Sequence, residues 1–218
     1  MNTPARLRIT EIYKSIQGES TWAGLPCIFV RTTGCNLRCV WCDSAYSFYG
    51  GKWLALDEIV SEVRRLDCEL VEITGGEPLL QPHTATLAAR LLELGLTVLV
   101  ETSGERPIET LPAGAIRIMD LKCPDSNESA RNRIENIAHL NARDEVKFVL
   151  ASRRDYEFAR DKIREFDLGR RVKAVLLSVV FGKLEAKQVV DWMLEDNLPA
   201  RFQLQMHKFI WEPLKQGV

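Results

Sequence analysis

Seven short β-rich runs alternate along this chain with amphipathic helical patterns, and that alternation restricts the possible fold more than any other feature. The runs cover 27–31, 70–74, 97–101, 116–121, 146–150, 172–178 and 202–206. Between them, Leu56, Ile59, Val60, Val63 and Leu66 fall on one helical face, as do Ala186, Val189, Val190, Met193 and Leu194. Residues 84–94 make another helical pattern, closed by Gly95, and 154–166 a further one with Ala159, Ile163 and Phe166 inward. Ser126 is placed to cap a helix running toward Leu140. Strand, helix, strand repeated about six times implies a parallel sheet with right-handed crossovers. A complete eight-fold barrel takes about 250 residues, and this chain has 218. The expected fold is therefore α/β, an incomplete TIM-like barrel of about six parallel strands with flanking helices. No repeat or linker divides residues 1–218, so one domain is expected.

Such folds gather their active sites at the carboxyl ends of the strands. Those ends carry Gly34-Cys35, Gly75-Gly76-Glu77, Thr102-Ser103-Gly104, Lys122-Cys123-Pro124, Ser152, the turn 178–182 and His207-Lys208. Loop polarity alone accounts for much of this, but not for three of the chain's six cysteines falling within eight residues. Thirty acidic against 29 basic residues leave a net charge of −1, which gives no bulk attraction to nucleic acid or a membrane surface. No apolar run approaches the roughly 20 residues of a membrane span, and the start MNTPARLRITEIY lacks the apolar core of a secretory signal. A cytoplasmic protein is expected, where clustered thiols more often hold metal than form disulfides.

Cys35, Cys39 and Cys42 have the spacing Cys-x3-Cys-x2-Cys. Three thiolates on one loop favour zinc or an iron–sulfur centre over hard cations. Structural zinc usually takes four protein ligands, but His83, His139 and His207 are scattered and no second cysteine pair lies nearby. A zinc loop and a buried, unligated thiol cluster remain the alternatives on spacing alone. Thr74-Gly75-Gly76-Glu77-Pro78 follows the second run; by itself it is a tight turn, but glycines also let a main chain approach a ligand, and a glutamate pairs with an ammonium. Together with Trp41, these two motifs resemble the radical S-adenosylmethionine superfamily. In it three cysteines hold a 4Fe–4S cluster, and the cofactor's methionine part completes the fourth iron.

Ser15-Ile16-Gln17-Gly18-Glu19-Ser20, then Gly24, Pro26, Phe29-Val30-Arg31, Cys42-Asp43-Ser44 and Gln205-Met206-His207-Lys208 narrow the resemblance. From about Ile12 onward the chain resembles the 7-carboxy-7-deazaguanine synthase family, although 105–167 adds little beyond Lys122-Cys123-Pro124. The resemblance implies a lyase of queuosine and 7-deazapurine biosynthesis that contracts the ring of 6-carboxy-5,6,7,8-tetrahydropterin to 7-carboxy-7-deazaguanine and releases ammonia. Reductive cleavage of S-adenosylmethionine starts the reaction by removing hydrogen from the pterin C6. It further implies magnesium, a homodimer and an external one-electron reductant, flavodoxin-like or ferredoxin-like.

Carried over, Ile16, Gln17, Gly18, Glu19, Arg31, Thr74 and His207 would face the pterin, with Gln17 and Glu19 reading ring N–H groups and Arg31 clamping the carboxylate. In isolation Arg31 would be a surface ion pair and Gln17 a turn residue. The family's final carboxylate reaches substrate, which would bring in Val218. Trp41, Cys42, Asp43, Gly76, Glu77, Lys122, Cys123, Pro124, Ser178, Val179, Val180 and Phe181 would line the S-adenosylmethionine site. Cys123 could be read as an extra cluster ligand, but with Cys27 and Cys68 it reads better as a packing thiol. Ser44 stands where the family more often has threonine as a magnesium ligand; the hydroxyl is retained. Two rivals are a radical-generating activase for a glycyl-radical enzyme, which would need no pterin pocket, and a non-enzymatic zinc module.

Overall fold

A computed structural model describes residues 5–213 and 215–218. Its centre is one open sheet of nine strands in the order β3-β1-β2-β4-β5-β6-β7-β8-β9. These are β1 (Arg6–Ile16), β2 (Pro26–Thr32), β3 (Lys52–Ala55), β4 (Leu70–Gly75), β5 (Thr97–Thr102), β6 (Ile116–Asp120), β7 (Glu145–Leu150), β8 (Ala174–Val179) and β9 (Arg201–Phe202). From β2 to β9 every neighbouring pair is parallel, and β1 runs antiparallel to both β2 and β3. The parallel set thus has seven members rather than about six, and an antiparallel flap extends one edge. In β1 a register shift between Ile9 and Glu11 interrupts the alternation that would have announced a strand.

Helices α1 (Leu56–Leu66), α2 (Thr84–Glu93), α3 (Arg153–Glu165) and α5 (Ala186–Glu195) lie where the apolar periodicity puts them. A single turn, α4 (Leu168–Arg171), precedes β8, and α6 (His207–Ile210) follows β9. Helices α1 and α2 bury Ile59, Val63, Leu87 and Leu91 against Ile28, Val30, Val71, Ile73 and Val98 on the outer face of the sheet. On the same face, α3 and α5 bury Tyr156, Ala159, Ile163 and Val189 against Val146, Phe148, Val175 and Leu177.

The helix expected from Ser126 to Leu140 is absent. Short 3-10 turns occupy Pro124–Ser126, Ser129–Arg131 and Ile134–His139 instead. The Ser126 hydroxyl donates back to the Cys123 carbonyl at 2.6 Å and accepts the Glu128 amide at 3.1 Å, and Asn127 is left-handed (φ 63°), so the turn stops there. The last run is also shorter than 202–206: after Phe202 only the Gln203 amide continues the pairing, to Leu177 O at 2.9 Å.

The inner face is layered by the period of two. Cys27, Phe29, Leu70, Leu99, Ile116 and Ile118 make an apolar lower layer on which Trp22 packs. The next inward positions, Arg31, Glu72, Thr74, Glu101, Asp120 and Lys147, are polar and line a cavity. The loop from Gln17 to Leu25 crosses the side that the open sheet leaves uncovered. There the Ser20 amide donates to Gln203 Oε1 at 2.8 Å, the Thr21 amide to Glu145 Oε2 at 3.1 Å, and Gly18 O accepts the Met206 amide at 2.9 Å. No helix among the described residues is long and apolar enough to cross a membrane.

Candidate active site

The cavity occupies about 450 Å³ at the carboxyl ends of the parallel strands, a volume suited to small ligands. Cys35, Cys39 and Cys42 line one wall, on the loop that leaves β2. Among the described residues no three His, Cys, Asp or Glu side chains converge on a single-ion position. The Cys42 amide donates to Cys39 O at 3.2 Å, closing the loop, while the Leu37 amide points at Cys35 Sγ from 3.4 Å. Burial pushes the Cys35 thiol up and that of Cys39 to about 11, and the nearby Lys122 ammonium pulls both back. Lys122 is itself held by Asp120 at 2.7 Å.

The β4 turn packs directly behind this loop. A Cβ at Gly76 would stand 2.7 Å from Cys35 Cβ and closer still to the Gly34 carbonyl, so only glycine fits. The Glu77 amide donates to Gly34 O at 2.8 Å. The carboxylate of Glu77 turns away from the cavity. It is fully buried, accepting Leu79 N (2.9 Å) and the Thr102 hydroxyl (2.8 Å) on Oε1, and Ser103 N and Oγ (both 2.7 Å) on Oε2.

A charged floor joins three strands, β4, β5 and β7, and the 17–25 loop. Lys147 Nζ lies 2.5 Å from Glu19 Oε2 and 2.8 Å from Glu101 Oε1. Burial would lift the Glu101 carboxyl, but the Lys147 charge and hydrogen bond outweigh it and hold it down to about 2. Glu72 is pushed up by burial and then by the Glu101 charge, so of these two neighbouring carboxyls Glu72 holds a proton the more readily. Its Oε2 accepts the Gln17 amide, and Gln17 Oε1 accepts the Glu19 amide at 2.5 Å. Against the opposite wall, Arg31 Nε donates to Glu11 Oε1 at 2.7 Å, NH2 to the Tyr13 hydroxyl at 3.2 Å, and the guanidinium lies over the Tyr46 ring.

Residues 29–119 match the family described as the Radical SAM superfamily. Two relatives named 7-carboxy-7-deazaguanine synthase align over essentially their whole length. That of Koribacter versatilis is 48% identical over 226 residues, covering 97% of this chain and 100% of the relative. That of Chlorobaculum tepidum is 42% identical and covers 100% of both. This chain belongs to the 7-carboxy-7-deazaguanine synthase family. The crystal structure of QueE from Escherichia coli shares the fold, with a TM-score of 0.75 over 91% of this chain and 94% of that one at 20% identity.

Membership of the 7-carboxy-7-deazaguanine synthase family makes the chain a radical SAM enzyme, with a 4Fe–4S cluster and S-adenosylmethionine as its cofactors. The residues present fit that pair: three thiols offer soft ligands on one wall of the cavity, and the glycine turn behind them leaves main chain, not side chain, at the surface. Ile16, Gln17, Gly18, Glu19, Arg31, Thr74, His207 and Val218 all line the same cavity, together with Trp41, Asp43, Ser44, Gly76, Lys122, Val180 and Phe181.

Several expected cofactor positions do not line it. Glu77 is occupied as described, and Cys123 is 1% exposed in the outer core with its thiol near Leu121 O. Pro124 begins a 3-10 turn behind the rim, Ser178 is fully buried, and Val179 faces a separate, smaller hollow. Gln17 also differs from expectation, because both ends of its side-chain amide are engaged within the protein. Conversely, Glu72, Glu101, Asp120 and Lys147 were not anticipated from the sequence. Their signal is a charged residue at an inward position of an otherwise apolar strand, as in LVEITG and EVKFVL.

Proposed function

We propose that this chain contracts the ring of 6-carboxy-5,6,7,8-tetrahydropterin to 7-carboxy-7-deazaguanine with release of ammonia. The observation that carries the reading is convergence: residues from β2, β4, the 17–25 loop and α6, assigned to the pterin, share one cavity with the three cysteines. When bound, the cluster and S-adenosylmethionine supply the one-electron chemistry that opens the reaction. Cys35, Cys39 and Cys42 would hold the cluster, and the main chain of Gly75-Gly76 would carry the cofactor's amino end. Arg31, with Nε fixed by Glu11 and NH2 donating to the Tyr13 hydroxyl, would turn its NH1 group to the substrate carboxylate. Glu19 is held from two sides, by Lys147 and by Gln205 Nε2 at 2.9 Å, and would accept ring N–H groups. Gln17 acts through its fixed contacts, setting where Glu19 sits.

An anaerobic reconstitution tests the reading. The expected product is a brown protein whose cluster EPR signal changes on adding S-adenosylmethionine and which releases ammonia from the carboxypterin. A colourless zinc protein, or a cluster protein inert to the carboxypterin, would falsify it.

Ser44 lines the cavity with its hydroxyl 3.8 Å from Cys42 Sγ, and we assign it to magnesium, a cation that seeks oxygen ligands. Ser44→Ala should raise the magnesium concentration for half-maximal turnover at least about fivefold (about 1 kcal/mol), and Ser44→Thr should restore it. An unchanged requirement in the alanine variant removes the assignment.

His207 packs on Gly18, where a Cβ would approach Nδ1 to 2.5 Å. Burial lowers the imidazole below its ordinary 6.5, Lys208 and Lys147 add to this, and Glu19 and Asp43 oppose it without reversing it. The neutral ring therefore prevails at pH 7. Carboxypterin affinity, followed by pterin fluorescence, should fall only below pH 6.5, and His207→Gln should flatten that acid limb.

A further inference from the structure

The cysteine loop presents one edge outward. Val40, between Cys39 and Cys42, is 55% exposed, and its amide is tied to Ser126 O at 3.2 Å, so the edge is held in place. Arg38 beside it spends its guanidinium on neutral acceptors: Cys35 O at 2.8 Å, Leu37 O at 2.6 Å and the Tyr49 hydroxyl at 3.2 Å. Lys183 lies over the Trp41 ring, 5.6 Å from its centroid. On the other flank Arg106 and Arg131 share a single carboxylate, Glu105, at 3.0 and 2.9 Å. Glu128, which accepts the Arg38 amide at 2.5 Å, is the second acid. Four cations thus face two carboxylates around this loop, on a chain whose net charge is −1.

The opposite side of the loop faces the cavity, which substrate and cofactor would fill, so an electron for the cluster has to arrive through the outward edge. We propose that the face centred on Val40 and ringed by Arg38, Arg106, Arg131 and Lys183 is the docking surface for an acidic one-electron carrier protein. This rests on the reading that Cys35, Cys39 and Cys42 hold a cluster. One electron leaves the carrier, which is oxidised by one equivalent, and the cluster is reduced by one; no atom is transferred. Excess positive charge around a small apolar centre steers an acidic partner and loses force as salt screens it.

The test uses the full-length reconstituted protein, reduced flavodoxin as the acidic carrier, and photoreduced 5-deazariboflavin as a small uncharged donor. Wild-type cluster reduction by flavodoxin should slow as ionic strength rises. At low salt the double variant Arg106→Glu/Arg131→Glu should be reduced by flavodoxin at least about tenfold more slowly, with a matching rise in the Kd for flavodoxin. Its iron and sulfide content, and its reduction by 5-deazariboflavin, should match wild type. Equal slowing with both donors, or an unchanged rate with flavodoxin, overturns the docking surface while leaving the cluster reading intact. A wild-type chain that takes up no iron and sulfide overturns the cluster reading, and the docking surface with it.

Discussion

Replacing Lys147 by methionine should cost the fold about 3 kcal/mol and abolish carboxypterin turnover. Lys147 is the ammonium shared by Glu19 and Glu101, and its side chain is 7% exposed against 17% and 28% for theirs. Removing one member of a buried ion pair costs about 3–5 kcal/mol because the charges left behind stay desolvated; the partial exposure of Glu101 places this case at the lower end. In a chain of this size the loss corresponds to a fall in Tm of about 6–12 °C. The pH dependence separates this cause from simple loss of packing. Without the ammonium, Glu101 loses the largest influence that holds it at about 2, and burial drives it upward against only the Glu72 hydrogen bond and the more distant Lys122 charge. A carboxyl whose folded pKa exceeds its unfolded value binds more protons in the native state, so its contribution to stability is present at low pH and lost as pH rises. The stability gap between Lys147→Met and wild type should therefore be smaller at pH 5 than at pH 8. A gap independent of pH would show that methionine fails for steric reasons. Turnover fails because Glu19 loses one of its two anchors and Glu101 becomes protonated, so the floor of the pocket changes both shape and charge.

This charged floor marks the boundary of what the sequence made legible. Helices α1, α2, α3 and α5 and the parallel strands follow from apolar periodicity, since each buries its stripe against a neighbour of the same kind. The cysteine loop and the glycine turn were legible because their spacing is local. Two kinds of information were not. Segment 126–140 has helical spacing of apolar residues, yet Asn136 is drawn into hydrogen bonds with Gly104 O and Arg106 O, both at 2.8 Å, and those distant partners settle its conformation. Glu77 reads as a ligand-facing carboxylate until Thr102 and Ser103, contributed by the end of β5, saturate it. In each case the deciding partner lies more than 20 residues away in the chain. Glu72, Glu101 and Lys147 could have been found by asking which strand positions face inward, because a charge there needs a partner across the sheet.

The saturation of Glu77 has a consequence for the glycine beside it. With that carboxylate committed to Leu79, Thr102 and Ser103, the β4 turn would meet the cofactor through its main chain, and the shape of that main chain depends on Gly76. A methyl group at Gly76 meets Gly34 O, Gly34 C and Cys35 Cβ, none of which is the free end of a flexible side chain. Overpacking of this kind costs about 1–3 kcal/mol, so Gly76→Ala should still fold, but only by pushing the turn and the Cys35 segment apart. The Glu77 N to Gly34 O hydrogen bond spans that same gap and resists the movement. A displacement of about 1 Å at a reacting geometry costs on the order of a hundredfold in rate, and here it would fall together on Cys35, proposed as a cluster ligand, and on the main chain proposed to carry the cofactor. Gly76→Ala should therefore show near-wild-type circular dichroism, a reduced iron and sulfide content, and S-adenosylmethionine binding weakened at least about thirtyfold (about 2 kcal/mol). Full cluster content with unchanged cofactor affinity would mean that the loop yields freely, and that contact between the two motifs does not position Cys35.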